Sequence, residues 1–385
     1  MNSFFEETLT FIRKLYNQPK GFIPLHAPVF NGNEKKYLVD CIDSSFVSSI
    51  GKFVDQFEEE MAAYTGATKA VVCVNGTNAL HLALKLIGVS PDTEVITQAL
   101  TFIATVNPIA YCNANPVFLD VDKNTLGLSS EKLEHWLKNN IKFDKSTQNP
   151  INKSTNKIVS ACLPMHTFGH PCKIDEIIEI CKNYNIPVVE DAAESLGSFY
   201  KDQHTGTFGD IGILSFNGNK ILTTGGGGML LFRNADLAKK AKHITTQAKV
   251  PHPWEFVHDE VGYNYRMPNI NAALGLAQLE QLPDFIENKR KTASNYKSFF
   301  EKTEVDFIKE PQNTKSNYWL NTILLKDLNE RNEFLKYTND NEVMTRPAWA
   351  LINKLHMFRN FQTGDLSNAE YFEDRIVNLP SSVIL

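Results

Sequence analysis

Residues 215–228 read SFNGNKILTTGGGG, in which Lys220 stands shortly before a run of four glycines. A lysine beside glycines is typical of a phosphate-binding loop, but such a loop has its glycines before the lysine and a hydroxyl directly after it. Here Asn219 precedes the lysine and Ile221 follows it. The dinucleotide fingerprint GxGxxG is also missing from the first predicted strand–helix turn. The spacing excludes both kinds of loop and leaves a covalent role for Lys220 open.

The segments on either side of this stretch predict an open α/β sheet. Short apolar runs alternate with helical patterns from about residue 70 onward, which indicates a mainly parallel sheet covered by helices on both faces. In ALHLALKLI, for example, Leu80, Ala83 and Leu84 share one helix face. The two runs that flank the lysine, DIGILSF and GMLLF, are predicted to pair like a hairpin. The candidate strands before them are 70–74, 94–97, 116–121, 157–163 and 187–190.

The sequence changes character near residue 250. A chain of 385 residues is long enough for two or three domains. We predict a large domain over 1–250, including the N-terminal segment, and a smaller C-terminal α/β domain over 251–385. The stretch 248–268, rich in proline, aromatics and charge, is predicted to be a functional loop for substrate or dimer contacts. The polar stretch 143–157 is predicted to be a surface insertion without function.

Composition and charge exclude several classes of protein. The formal net charge of -5 argues against a protein that wraps nucleic acid. No segment approaches the roughly 20 apolar residues that span a bilayer, and the N-terminus does not resemble a secretory signal. The six cysteines are scattered, without a CxxC pair, and His166 and His170 lie in a Gly-Pro context that disrupts a helix. We therefore expect a cytoplasmic protein without a metal site and without nucleic-acid or membrane partners.

A lysine that forms a Schiff base with pyridoxal phosphate needs particular companions, namely a phosphate cup, a carboxylate for the pyridine nitrogen and a ring-stacking face. Gly76-Thr77-Asn78 lies between a strand and a helix, where free backbone N–H groups favour a phosphate. Thr77 adds a hydroxyl to this cup, and Ser215 offers a second one. Taken alone, the Asn-Gly-Thr stretch could equally be an ordinary capped turn.

The other two companions also have candidates. Asp191 comes just after the strand PVVE, at the sheet edge where open α/β folds bind ligands. Either Glu190 or Asp191 could instead be a structural acid. Phe102 follows the strand EVITQ and could stack on a ring or belong to the core. Each feature is weak alone, so the argument rests on their order along the chain.

The chain carries, in order, the motifs NGTNALHLAL, TFIAT, PVFLDVD, EDAAESLGS, GDIGILSFNGNK and GYNYRMPNINAALGLAQL. From about residue 22 to its end it resembles the DegT/DnrJ-type sugar-nucleotide aminotransferases, which are fold-type I pyridoxal-phosphate enzymes. This resemblance implies a large cofactor-binding domain around a seven-stranded, mostly parallel mixed sheet, with a smaller C-terminal α/β domain. It also implies pyridoxal 5'-phosphate as cofactor and pyridoxamine 5'-phosphate as its aminated form.

The resemblance assigns roles to individual residues. Lys220 would form the Schiff base and act as general base and acid, Asp191 would pair with the pyridine nitrogen, and Glu194 would touch the phenolic oxygen. Asn264, from GYNYRM, would reach the phosphate across an interface, which implies a homodimer with shared sites. The full set of implied cofactor contacts is Gly76, Thr77, Asn78, Phe102, Asp191, Glu194, Ser215, Asn219, Lys220 and Asn264.

Substrate contacts are implied less directly. The segments that face the sugar nucleotide in relatives contain Trp254, His258, Tyr318, Arg346 and Trp349, any of which could equally serve packing or an interface. Ser381, Ser382 and His166 belong to the same open group.

The implied reaction moves an amino group from an amino acid, usually L-glutamate, to a keto-sugar nucleotide. Gly226 replaces a glutamate that is common in the family. With NGNK and Glu194, it resembles the branch that aminates UDP-linked 4-keto-6-deoxy-N-acetylhexosamines on bacillosamine- or legionaminic-type routes. GDP- and dTDP-linked sugars stay alternatives. So do a sugar dehydratase, in which the lysine is commonly histidine, and a silent binding protein that would have lost Lys220 or Asp191. Relatives usually continue past LPSS into a last helix, which leaves truncation at Leu385 open.

Overall fold

A computed structural model describes residues 3–385, and this range contains eleven α-helices and sixteen strands. The helices are α1 (Ser3–Leu15), α2 (Glu34–Asp43), α3 (Lys52–Thr65), α4 (Gly76–Leu86), α5 (Ile103–Tyr111), α6 (Ser130–Asn140), α7 (Ile174–Asn183), α8 (Ala235–Thr245), α9 (Asn269–Phe300), α10 (Leu328–Asp340) and α11 (Ser367–Glu373). The strands are β1 (Lys69–Cys73), β2 (Glu94–Gln98), β3 (Asn115–Leu119), β4 (Ile141–Phe143), β5 (Pro150–Asn152), β6 (Val159–Leu163), β7 (Val189–Asp191), β8 (Phe199–Tyr200), β9 (Gln203–His204), β10 (Ile211–Ser215), β11 (Gly228–Phe232), β12 (Asp306–Phe307), β13 (Thr314–Lys315), β14 (Asn321–Leu324), β15 (Arg346–Pro347) and β16 (Ile376–Leu379).

Seven strands form the large sheet, in the order β1-β11-β10-β7-β6-β2-β3. Strands β10 and β7 are parallel, as are β2 with β3 and β2 with β6, whereas β11 runs antiparallel to β1 and β10. The two halves meet where the Cys162 N–H donates to the Pro187 carbonyl at 2.9 Å. The predicted seven-stranded, mostly parallel mixed sheet and the pairing of DIGILSF with GMLLF are therefore confirmed.

Burial explains why these segments become strands and helices. All five residues of β2 and all five of β11 are buried, as strands covered by helices on both faces of a sheet should be. Helix α4 begins where the Asn75 side chain accepts a hydrogen bond from the Asn78 N–H at 2.8 Å, and it buries Ala79, Leu80 and Ala83 against the sheet. The predicted helical face of α4 is thus the buried one.

The C-terminal part is built on a second, antiparallel sheet of order β12-β14-β16-β15 beside the long helix α9. Helix α1 contributes to the same core, since the rings of Phe5 and Phe334 lie 5.2 Å apart and Phe300 and Val377 join them. The N-terminal segment therefore packs on C-terminal elements, and the domain boundary near residue 250 stays a prediction. Within residues 3–385, no helix combines the length and the apolar character needed to cross a membrane.

The stretch 143–157 has more structure than an unattached insertion. Strands β4 and β5 pair as an antiparallel hairpin, and Asn152 at its end is fully buried. The Asn152 amide donates to Glu94 Oε2 at 2.7 Å and to Gln362 Oε1 at 2.6 Å. These bonds tie the hairpin to the first residue of β2.

Candidate active site

Lys220 lies in the turn between β10 and β11, at the carboxyl end of β10. Its Nζ donates to Glu194 Oε1 at 3.2 Å and sits 3.9 Å from the centre of the Trp319 ring. The Trp319 Nε1–H donates to the Asn219 carbonyl at 2.7 Å, which fixes the turn against the indole. The lysine side chain is only 11% exposed. The amine is therefore held between a carboxylate and an aromatic face in a partly dry pocket.

Glu194 is fixed from its other side. Its Oε2 accepts a hydrogen bond from the Phe168 N–H at 2.9 Å, and Phe168 adopts a left-handed backbone with a φ of 56°. Burial raises the pKa of Glu194 to about 7, although the charge of Lys220 and the Phe168 N–H both oppose this shift. A carboxyl poised near neutrality and bonded to Lys220 Nζ is suited to exchange a proton with it.

Two adjacent acids, Glu190 and Asp191, have different surroundings. Asp191 is buried at the end of β7, where its Oδ2 accepts from Thr105 Oγ1 at 2.7 Å and its Oδ1 from the Ala193 N–H at 3.1 Å. Burial raises the pKa of Asp191, while the Thr105 hydrogen bond and the charge of Lys220 lower it. Within residues 3–385, two hydrogen bonds reach this carboxylate, so it can still accept a proton donor from a ligand.

Glu190 has no such capacity left. Its carboxylate accepts from the backbone N–H groups of Gly206, Phe208 and Gly209 and from His166 Nε2, at distances of 2.8, 2.7, 2.7 and 3.0 Å. The Cys172 N–H points at His166 Nδ1, so the ring proton is on Nε2 and faces Glu190. Glu190 is therefore the structural acid, and His166 is one of its hydrogen-bond donors.

The start of α4 forms an anion cradle. The N–H groups of Gly76 and Thr77 belong to the first turn and lack intrahelical partners. A Cβ added to Gly76 would lie 2.9 Å from the Ser215 Cβ, so glycine lets the helix approach β10 and brings the Ser215 hydroxyl beside the cradle. The Asn78 N–H is already taken by the Asn75 cap. Gly76, Thr77 and Ser215 thus come together as predicted, in a place that favours a phosphate.

The four glycines after Lys220 differ in the space around them. A Cβ at Gly225 or Gly226 would meet nothing within 4 Å, whereas one at Gly228 would lie 2.5 Å from the Asn75 backbone. A Cβ at Gly227 would lie 2.2 Å from Thr224 Oγ1. Gly227 and Gly228 therefore allow close packing of the turn, whereas Gly225 and Gly226 border open space.

Phe102 and Trp349 form an aromatic rim. Phe102, at the start of α5, is 46% exposed, and its ring lies 6.0 Å from Trp349. Trp349 in turn lies 5.0 Å from Phe168, the residue whose N–H holds Glu194. This contact brings the C-terminal part of the chain to the edge of the site.

The other predicted cofactor contacts lie outside this group of side chains. The Asn219 side chain is exposed and bonded to Asn217, so that only its backbone carbonyl takes part, through Trp319. Asn264 is exposed on the loop that follows α8. Their predicted contacts with the cofactor stay predictions.

The predicted substrate contacts are also dispersed. Trp254 is 76% exposed, and the nearby His258 ring bonds to the Gln247 carbonyl at 2.7 Å. Tyr318 is buried, with its hydroxyl accepting from the Glu310 N–H at 3.0 Å. Arg346 donates to its neighbour Thr345 and to an asparagine of α10. Of these five candidates Trp349 belongs to the aromatic rim, and the substrate contacts of all five stay predictions.

Sequence reasoning missed Trp319, Thr105 and Phe168. Thr105 belongs to the quoted motif TFIAT, so its position one turn after Phe102 was an available signal. Trp319 lies 100 positions from the carbonyl it binds, and no local pattern could have predicted that contact. Phe168 acts through its backbone and carries no signal of its own.

The arrangement fits pyridoxal phosphate. A buried carboxylate with free acceptor capacity suits the pyridine nitrogen, a helix start beside a hydroxyl suits the phosphate, and a largely buried lysine amine beside a carboxyl suits the aldehyde. An open α/β sheet with these groups at the carboxyl ends of its strands defines a lysine-dependent pyridoxal-phosphate enzyme.

Comparisons with known proteins agree. A sequence profile of the DegT/DnrJ/EryC1/StrS aminotransferase family matches residues 29–385. GDP-perosamine synthase of Escherichia coli O157:H7 is 39% identical over 361 residues, covering 94% of this chain and 93% of that protein. UDP-4-amino-4,6-dideoxy-N-acetyl-beta-L-altrosamine transaminase of Campylobacter jejuni is 33% identical over 286 residues, covering 74% and 68%. The crystal structure of the aminotransferase TlmJ from Streptoalloteichus hindustanus matches with a TM-score of 0.84 at 26% identity, covering 94% of both chains.

The chain therefore belongs to the DegT/DnrJ/EryC1/StrS aminotransferase family. Members of this family are pyridoxal-phosphate-dependent sugar aminotransferases, and the chain is an enzyme of this class.

The raised pKa of Glu194 predicts a pH-dependent stability. The folded carboxyl titrates at about 7 and an unfolded glutamate at 4.5, so stability falls as the pH rises through this window and levels off above it. Between pH 5.5 and pH 8 we expect the cofactor-free wild type to lose about 2 kcal/mol more than Glu194→Gln. Urea unfolding at both pH values measures this difference, and parallel losses in the two proteins would contradict it.

Proposed function

We propose that this enzyme transfers an amino group from an amino acid, L-glutamate, to a UDP-linked 4-keto-6-deoxy-N-acetylhexosamine. The observation that carries amino transfer is Lys220 Nζ held against Glu194, with the buried Asp191 nearby in the same pocket. A sugar dehydratase or a silent binding protein would have no use for this lysine, so its burial beside a carboxyl favours amino transfer over both alternatives.

Each residue of the site has a separate chemical role that follows from its position. When bound, pyridoxal phosphate supplies an electron sink for the carbanion formed at the substrate carbon. Lys220 Nζ carries a proton to and from that carbon, and Glu194 Oε1 accepts and returns a proton at Nζ. Asp191 holds the proton on the pyridine nitrogen, and Thr105 keeps its carboxylate in orientation. The first turn of α4 binds the phosphate.

Two observations support a UDP-linked sugar. Gly226 borders open space, and the resemblance implies a glutamate at this position in many relatives outside the UDP-sugar branch. The relative from C. jejuni is named for a UDP-linked amino sugar. The more similar relative from E. coli is named for a GDP-linked sugar, which makes a GDP-linked keto-sugar the second candidate.

The nucleotide is tested in the second half-reaction alone. The purified enzyme is first converted to its pyridoxamine phosphate form with L-glutamate, and excess donor is removed. UDP-, GDP- and dTDP-linked 4-keto-6-deoxy sugars are then added separately, and the return of the yellow absorption is followed. We expect the UDP-linked N-acetylhexosamine to react fastest. Reaction with a GDP- or dTDP-linked sugar and none with the UDP-linked one would overturn this part of the proposal.

We also propose a homodimer with shared active sites. Large apolar side chains are exposed in two regions, from α2 to the start of α3 and on the loop before α9, and such surfaces mark interfaces. They are Ile42, Phe46, Val47, Ile50, Trp254, Phe256, Val257 and Val261. Asn264 follows the second region and is exposed, as a residue donated to a partner would be.

Mixing two inactive variants tests the shared site. If each site takes Lys220 from one chain and Asn264 from the other, a heterodimer of Lys220→Ala and Asn264→Ala contains one intact site. Co-expression should therefore restore about a quarter of the wild-type activity through random pairing. No recovery, with dimers shown by light scattering, would contradict the sharing of Asn264.

The state of the cysteines bears on the cellular location. All six cysteines are buried free thiols, which suits a reducing compartment. We propose the cytoplasm, and fractionation of the expressing cells tests it.

A further inference from the structure

His26 is a half-buried residue whose two ring nitrogens are enclosed and have no hydrogen-bond partner within residues 3–385. It lies between α1 and α2, and among residues 3–385 nothing bonds to either ring nitrogen, although both are shielded from solvent. Its neighbours are firmly held, since the Leu25 carbonyl accepts from the Ser381 N–H at 2.7 Å and the Ala27 N–H donates to Ser382 Oγ at 2.8 Å. Burying an imidazole without a hydrogen-bond partner costs free energy, and a bound ligand could supply the missing partner.

The surroundings of His26 are positive. Lys289 is fully buried, and its Nζ donates to the carbonyl oxygens of Trp319, at 3.2 Å, and of Ser381. Burial lowers the pKa of Lys289 to about 7. Burial and then the charges of Lys289 and Lys220 lower the pKa of His26. Lys289 is joined to the His26 segment by contact, because Ser381, whose carbonyl its Nζ reaches, donates its N–H to the Leu25 carbonyl. It is joined to Lys220 through Trp319, whose ring lies 3.9 Å from Lys220 Nζ. A neutral imidazole N–H on a segment that a buried lysine amine holds in place is suited to an anion.

The reaction itself supplies an anion at this place. The amine of the donor amino acid must reach the position of Lys220 Nζ, and only one carbon separates that amine from the α-carboxylate. The phosphates of a sugar nucleotide lie beyond the sugar ring from the keto carbon. Near Glu194 and Asp191 a further carboxylate would be repelled, which favours the side of Lys220 where Trp319 and Lys289 lie. Two of the residues there, Trp319 and Ser381, are already tied to Lys289.

We propose that His26 binds the carboxylate of the amino-acid donor, with Lys289 behind it supplying positive charge. This inference rests on the proposed amino transfer and adds the site that recognises the donor. Ser381 and Ser382, whose role the sequence left open, hold the His26 segment in place through the backbone of Leu25 and Ala27.

The chain offers a matched control in His170. Both of its ring nitrogens are also buried without partners, but its ring packs on Tyr318 at 5.3 Å. The charge that acts on it is Glu310, a carboxylate, rather than a lysine. Its replacement reports what the loss of a buried histidine does to folding, without removing an anion contact.

The test separates the two half-reactions in the cofactor-loaded enzyme. His26→Leu, His26→Gln and His170→Leu are compared with the wild type for amino transfer from L-glutamate and for the return reaction with the keto-sugar nucleotide. Binding of glutarate, a dicarboxylate without an amine, is measured by calorimetry. Circular dichroism confirms that each variant folds.

We expect His26→Leu to weaken the apparent affinity for L-glutamate and for glutarate about tenfold or more, because a hydrogen bond to a charged group is lost. The return half-reaction should change less than about twofold, since its substrate brings no carboxylate. His26→Gln, which keeps an N–H donor, should recover part of the affinity. His170→Leu should leave donor and glutarate affinity unchanged.

Two results would overturn the inference. One is an equal loss in both half-reactions for His26→Leu, and the other is an equal effect of His26→Leu and His170→Leu on glutarate binding. Failure of the proposed function has a different signature, since the wild type would then form no pyridoxamine phosphate with any amino acid. In that case loss of glutarate binding in His26→Leu would still support a carboxylate site.

Discussion

Lys220→Ala is expected to reduce amino transfer by more than about a thousandfold while the protein stays folded. The variant lacks both the amine that bonds to the cofactor and the base that moves the substrate proton. Folding should survive because Glu194, the partner left behind, has a pKa of about 7 and can become neutral instead of remaining a stranded buried charge. Single-turnover absorption measurements report the first effect, and thermal unfolding reports the second.

Lys239→Ala is the control for this experiment. Lys239 is exposed on α8, so its loss should leave both transfer and stability unchanged. Borohydride should fix the cofactor to Lys220 in the wild type and in this control, but not in Lys220→Ala, as peptide mapping would show. Wild-type transfer by Lys220→Ala would end the assignment.

Asp191→Asn is expected to slow amino transfer more than about a hundredfold. An amide cannot hold a proton on the pyridine nitrogen, so the ring loses much of its capacity to accept electrons. The stability of the cofactor-free protein should stay the same or rise, because burial raises the pKa of Asp191 and its ionised form is costly in the fold. The rate of the first half-reaction and the urea unfolding curve measure these two effects.

Glu190→Gln, one position earlier, should show the opposite profile. Three backbone N–H groups and His166 point at its carboxylate, and a glutamine amide would turn a donor toward one of them. We expect a loss of about 3 kcal/mol in unfolding free energy. Once folded, the variant should keep more activity than Asp191→Asn. If both isosteric changes affected activity alone, the distinction between these two acids would be wrong.

Local patterns were sufficient to predict the sheet and the groups attached to it. The apolar strands and their neighbouring helices repeat at regular spacing, so each could be read from a few residues, and Asp191 and Ser215 follow directly from the strands they end. The division between Glu190 and Asp191 could not be read in this way. Both lie in the same strand, β7, and their roles depend on N–H groups supplied by the turn at 206–209.

Contacts made by the C-terminal part were harder to predict. Trp319 reaches Lys220 across about a quarter of the chain, and Trp349 reaches Phe102 from still farther. Lys289 lies in α9, where a lysine usually indicates a solvated face, yet it is fully buried. Such contacts depend on how separate elements pack together, which no periodicity in the sequence records.

The glycines after Lys220 have unequal space around them, so some of these positions can accept a side chain and others cannot. Gly228 lies against the backbone that begins α4, so any side chain there would push the phosphate cradle away from the sheet. Gly226 borders open space and can acquire a side chain without moving either. A lineage of such enzymes could therefore explore new substrates through Gly226 while its catalytic frame stays under strict selection. Two identical residues in one run of four would then record very different evolutionary rates.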